Sequence, residues 1–158
     1  TAETFGAVNC DCREQLERSL FYISEKGGII LYLPQEGRGN GIQAKLHQIA
    51  LEQTHPEIDT IQAFELNGYP ADNRSYREAA DMLRYLKVAS IQLYTSSPDK
   101  IAQLKQHGIH ISGRIHIDHS LLDPHAIKNK QAKVERLRYF SQHDLYENIL
   151  ESKQNNQS

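Results

Sequence analysis

The chain has 158 residues, 39% of them hydrophobic and 24% charged, with 18 Lys and Arg against 20 Asp and Glu for a formal net charge of −2. That supplies enough apolar material for one folded domain, and too little charge bias for a disordered chain or for the basic surface of a nucleic-acid binder. The most apolar run, Gly28 to Leu33, has strand length and falls far short of a membrane helix, so neither a nucleic acid nor a membrane is an expected partner.

No apolar leader segment stands near the start, and Cys10 and Cys12 flank a single residue, a spacing awkward for a disulfide. Reduced thiols in a cytoplasm fit better.

In chain order, Leu16, Leu20 and Ile23 recur at helical spacing between Asp11 and Lys26, and Gly27-Gly28 stops the helix. The β-branched run Ile29 to Leu33 predicts a buried strand, ended by Pro34. A glycine-rich loop from Gln35 to Gly41 then opens a helix carrying Ile42, Leu46, Ile49 and Ala50 to about Gln53. Thr60 to Leu66 alternates as a strand would, and Asn67-Gly68-Tyr69-Pro70 is turn chemistry. Ser75 to Leu86 predicts a helix with Ala79, Met82, Leu83 and Leu86 inward, and Ser90 to Tyr94 a strand. Thr95-Ser96-Ser97-Pro98 opens a further helix that Gly108 closes. Ile109, Ile111, Ile115 and Ile117 suggest two short strands about Ser112-Gly113, Asp123-Pro124 introduces a basic helical segment, and Gln154 to Ser158 is polar fray. With no internal repeat and no linker, the expected fold is α/β: one domain over residues 1–150, a mixed sheet flanked by helices, and a polar tail at 151–158.

Four stretches bear on chemistry. Thiolates favour zinc, and Cys10 and Cys12 can occupy two corners of its tetrahedron, although two ordinary core cysteines would read the same. The amides of Gly37, Gly39 and Gly41 before a helix can hold phosphate oxygens with Arg38 as a forked cation, yet the loop matches neither the Walker nor the dinucleotide pattern and a flexible turn is equally open. Asp72-Asn73-Arg74 lies between a strand and a helix, where Asp72 suits a base and the pair also reads as a surface ion pair. Thr95 to Lys100 sits at a strand end, where open α/β sheets bind ligands, and a simple helix cap explains the same hydroxyls. His107, His110, His116 and His119 read as solvated surface.

Taken together, Cys10-Asp11-Cys12, Gln15-Leu16-Glu17, Leu31-Tyr32, Gln35-Glu36-Gly37-Arg38, Gly41, Lys45, Ala71-Asp72-Asn73-Arg74 and Thr95-Ser96-Ser97-Pro98 resemble GTP cyclohydrolase II of riboflavin biosynthesis. The resemblance runs from about Thr1 to Arg114 and more faintly over Asn129 to Leu137. It implies a zinc- and magnesium-dependent opening of the guanine imidazole ring of GTP in a homodimer, releasing formate and pyrophosphate. It carries Cys10 and Cys12 onto zinc ligands, and Gln15, Glu36, Gly37, Arg38, Thr60, Thr95 and Lys100 onto GTP contacts. Asp72 falls on the proton acceptor and Arg74 on the residue proposed to attack the α-phosphate.

The family's third zinc cysteine and its Arg-x-His-Ser-Glu stretch would align ahead of Thr1, so the N-terminal part of the family domain lies outside this sequence. Within it, Ile49 stands where the family has a tyrosine that assists catalysis, Asn9 where it has Arg, Ala44 where it has Asn, and Ser96-Ser97 where it has Asn-Asn. Two other readings are therefore open: a paralogue acting on another purine or pyrimidine compound, as in uracil breakdown, and a nucleotide-binding partner without turnover.

Overall fold

The computed structural model describes residues 2–6, 10–116 and 124–139. Helix α1 (Ala2–Phe5) is followed by α2 (Cys12–Lys26), α3 (Gly41–Thr54), α4 (Thr60–Leu66), α5 (Arg77–Tyr85), strand β1 (Ser90–Tyr94), α6 (Pro98–Gln106), strand β2 (His110–Ile115) and α7 (Pro124–Leu137). The expected 151–158 tail, Ile117 and His119 lie outside the described residues.

The sheet among the described residues has two strands, and they are parallel rather than mixed: Ser90 pairs with His110 and Tyr94 with Ile115, with an irregularity between Ile91 and Gln92. A parallel pair needs a crossover, which α6 supplies. Ser97 caps α6 by accepting from the Lys100 amide at 3.3 Å, and Pro98 follows at the first helical position, where its missing N–H costs nothing. The residues expected as two short strands about Ser112-Gly113 form one strand as far as Ile115, held along its length by the β1 ladder.

Two other expected strands are corrected. Thr60 to Leu66 is helical because Asp59 and Gln62 build a capping box: the Asp59 carboxylate accepts from the amides of Ile61 and Gln62 at 2.9 Å, and the Gln62 side-chain Oε1 accepts from the Asp59 amide at 3.1 Å. Residues 29–33 run into the site with no ladder to a neighbouring strand among the described residues. Leu31 and Leu33 nevertheless pack onto the core of Tyr76, Ala79, Ala80, Leu83, Leu104 and Ile109, while Ile29 and Tyr32 are exposed. A second buried group, Ile61, Ala63 and Phe64 of α4, faces α3, where Ala44 is buried. Tyr22 of α2 stacks on Tyr94 at the end of β1 with centroids 5.5 Å apart, which fixes α2 over the strand end.

Candidate functional site

The glycine loop is shaped by its docking onto the segment from Pro70 to Ser75. Residues 36–39 form a kinked turn in which Gly37 and Arg38, the latter a non-glycine residue, both take the left-handed φ of 56°. Gly39 takes φ 85°, and a Cβ there would lie 2.6 Å from the Asn73 carbonyl, so only glycine allows the two backbones to meet. Around this contact the Asn73 amide donates to the Arg38 carbonyl at 2.9 Å, and the Asn40 side chain donates to the Pro70 carbonyl at 2.9 Å. The Gln35 amide clamps Ser75 in both directions, donating to its carbonyl at 2.6 Å and accepting from its N–H at 3.0 Å.

This docking brings Arg38 to Asp72. The carboxylate accepts from Arg38 Nη2 at 2.6 Å and from Arg74 Nε at 2.8 Å, and all three side chains are largely buried. Burial alone would push the Asp72 carboxyl up, but the hydrogen bond and charge of Arg74, with Arg38 beside it, outweigh that and hold it below the usual carboxylate range. Burial would likewise lower Arg74, and the Asp72 hydrogen bond with the nearby Tyr139 and Tyr76 holds its guanidinium firmly charged. On the opposite side Lys45 Nζ meets Glu36 Oε2 at 3.0 Å. Lys100, displaced downward from the usual lysine value by burial and then by the Arg74 charge, sits 5.3 Å over the Tyr76 ring with no carboxylate partner among the described residues. The wall therefore offers two guanidinium groups that share one carboxylate, plus an ammonium without one.

Cys10 is half-buried and Cys12 exposed at the start of α2. The Cys12 thiol hydrogen-bonds the Cys10 sulfur, lowering Cys10 to about 7 against the opposing effect of burial, and raising Cys12. Asp11 between them is 3% exposed and faces Lys133 Nζ of α7 at 3.4 Å. Two soft donors in contact suit zinc, but no group of three His, Cys, Asp or Glu that could hold a metal exists among the described residues. These residues supply half of a tetrahedral site at most.

The expected substrate and metal residues converge. Cys10, Cys12, Gln15, Glu36, Gly37, Arg38, Thr60, Arg74, Thr95 and Lys100 all line one cavity of about 910 Å³, and Asp72 stands behind Arg38 and Arg74. Thr60 enters from the first turn of α4, where its hydroxyl donates to Glu52 at 2.6 Å. Thr95 is 2% exposed, its hydroxyl accepting from the Ser97 amide at 3.1 Å.

Among the residues that reach the cavity without having been read from the sequence are Gln48 and Tyr139. Gln48 of α3 is 3% exposed, and its Nε2 has no hydrogen-bond partner among the described residues. Tyr139, just past α7, accepts from Arg74 Nη2 at 2.6 Å. Gln48 offers only a polar residue on the core side of a helix as its signal; Tyr139 lies 65 positions from Arg74 and offers none.

Residues 1–116 match the family profile of GTP cyclohydrolase II. The chain belongs to that family. It is 44% identical over 117 residues to a riboflavin biosynthesis protein RibBA of Staphylococcus saprophyticus, covering 74% of this chain and 29% of that protein. It is 42% identical over 118 residues to a GTP cyclohydrolase-2 of Picrophilus torridus, covering 74% of this chain and 60% of that protein. A RibBA of Staphylococcus aureus stands at 44% over 117 residues. The chain thus spans under two thirds of the length of each of these relatives.

Proposed function

We propose that this domain opens the guanine imidazole ring of GTP, releasing formate and pyrophosphate and leaving a diaminopyrimidine ribosylamino phosphate. The observation that carries the reading is the convergence of the family's substrate-contacting positions on one cavity with cations on its wall. Glu36, an acceptor-only carboxylate, suits the N1 and N2 hydrogens of guanine. Arg38, Arg74 and Lys100 neutralise the triphosphate together with magnesium, which prefers phosphate oxygens. In the resting geometry Arg74 is a charged donor; for attack on the α-phosphorus a guanidinium proton would pass to Asp72, which accepts from Nε at 2.8 Å. A guanidine nitrogen turned away from Asp72 would form the P–N bond as the Pα–O bond to pyrophosphate breaks, and water would then cleave that P–N bond to leave the monophosphate.

Cys10 and Cys12 are proposed as two zinc ligands, with the remaining donors outside the described residues. A zinc ion bound there supplies a water of pKa near 7 for the hydrolytic steps. A homodimer in the cytoplasm completes the proposal.

Guanine recognition is tested by calorimetric titration with GTP and ATP in the presence of magnesium. Glu36→Gln is expected to weaken GTP about tenfold or more and leave ATP unchanged, because only guanine loses a charged acceptor. Equal losses for both nucleotides would remove Glu36 from base recognition. The competing reading, a paralogue for another purine or pyrimidine compound, rests on Ile49, a half-buried side chain with no proton to transfer that is not among the residues lining the cavity. It predicts no preference for GTP over ATP in the same titration.

A further inference from the structure

Helix α7 is fixed against the site by charge. Lys133 faces Asp11 at 3.4 Å, Arg136 Nε meets Asp59 at 3.1 Å, and Arg136 Nη1 lies 3.7 Å from Glu65. At its end Arg138 adopts φ 53°, a left-handed conformation that costs a non-glycine residue free energy and persists where surrounding contacts impose it. The turn is closed by the Tyr139 amide donating to the Lys133 carbonyl at 3.2 Å. Its result is that the Tyr139 ring enters the cavity and its hydroxyl oxygen meets Arg74 Nη2 at 2.6 Å. Ser97, 3% exposed at the head of α6, hydrogen-bonds the same phenol.

The donors of Arg74 can then be counted. A guanidinium carries five N–H groups in a rigid fork. Nε donates to Asp72 Oδ1, while Nη2 serves both Asp72 Oδ2 and Tyr139. Among the described residues the two Nη1 hydrogens have no hydrogen-bond partner, and Arg74 lines the cavity. Asp72 grips one edge of the fork through both oxygens, and the phenol adds a third contact at Nη2, on the side away from Asp72.

We propose that Tyr139 is a positioning residue of the polyphosphate half of the cavity, locking the Arg74 guanidinium so that its Nη1 edge meets an incoming phosphate; this rests on the reading of the cavity as a nucleotide site. The Arg74 and Arg38 charges oppose the effect of burial and bring the Tyr139 phenol below its ordinary range, in keeping with an oxygen that accepts from cations. Pre-setting the Nη1 donor reduces the ordering cost that the anion would otherwise meet on binding.

The test is a double-mutant cycle read by calorimetric titration with magnesium tripolyphosphate, a probe that needs neither guanine nor turnover. Tyr139→Phe keeps the ring and the packing and removes only the oxygen; its melting temperature checks the fold. We expect a loss of affinity of about tenfold in the wild-type background, the scale of one hydrogen bond to a charged group, and under about twofold in an Arg74→Gln background. An equal loss in both backgrounds would overturn the proposal, since the phenol would then act apart from Arg74. Unchanged or tighter binding by Tyr139→Phe would also overturn it, the latter because the oxygen would be occupying the anion's own place. Failure of the wild type to bind tripolyphosphate overturns it too, whereas wild type that binds the probe and releases no formate from GTP sinks only the ring-opening reading.

Discussion

Asp72 accepts hydrogen bonds from two guanidinium groups that approach from different loops, which makes it the hinge of the site's electrostatics. Held below the usual carboxylate range, it contributes stability that is fully present above its unfolded-state value of about 3.9 and lost as pH falls through the lower folded value. Asp72→Asn leaves Arg38 and Arg74 buried without a counter-charge and should cost about 3 kcal/mol at neutral pH. Urea unfolding of both proteins at pH 7 and in acid checks the sign: the gap should narrow as the wild-type carboxylate protonates, and a gap independent of pH would show that the charge pairing contributes nothing. Arg38, Asp72 and Arg74 were legible because each stands in a short ordered motif. Tyr139 was not, because its place beside Arg74 comes from a left-handed Arg138 and from α7 ion pairs that join distant parts of the chain.

At the scale of elements, Thr60 to Leu66 was misread because a pattern that short does not decide between helix and strand, and residues 29–33 because a β-branched run does not say whether a neighbouring strand pairs with it. Thr60 to Leu66 alternates, yet Asp59 and Gln62 cap its first turn, and Ile61 and Phe64, three apart, both face inward. Ser90 to Tyr94 and the helix opened by Ser97-Pro98 were legible because strand, cap and proline agree. The loop pair is the element on which the site depends, and Gly39 is its contact point. Gly39→Ala places a Cβ against the Asn73 carbonyl and forces alanine to φ 85°, so it should destabilise the domain by about 2 kcal/mol or more. Thermal unfolding checks this, and an alanine variant as stable as the wild type would mean that the two loops are not held in contact.

For the whole molecule, family membership and the convergence of ten of its expected site residues on one cavity point the same way, while the proposed zinc site would need donors beyond Cys10 and Cys12. The sequence supplies the thiol pair by motif, and the family's third zinc cysteine would align ahead of Thr1. Ile49 sharpens the same question, because it offers no proton where the family has a tyrosine. The decisive measurement is the quantity of formate and of pyrophosphate released per GTP consumed, with magnesium and zinc present. Ring opening predicts the two in equal amounts, together with the diaminopyrimidine phosphate. Pyrophosphate without formate, or GTP bound and recovered intact, would contradict it.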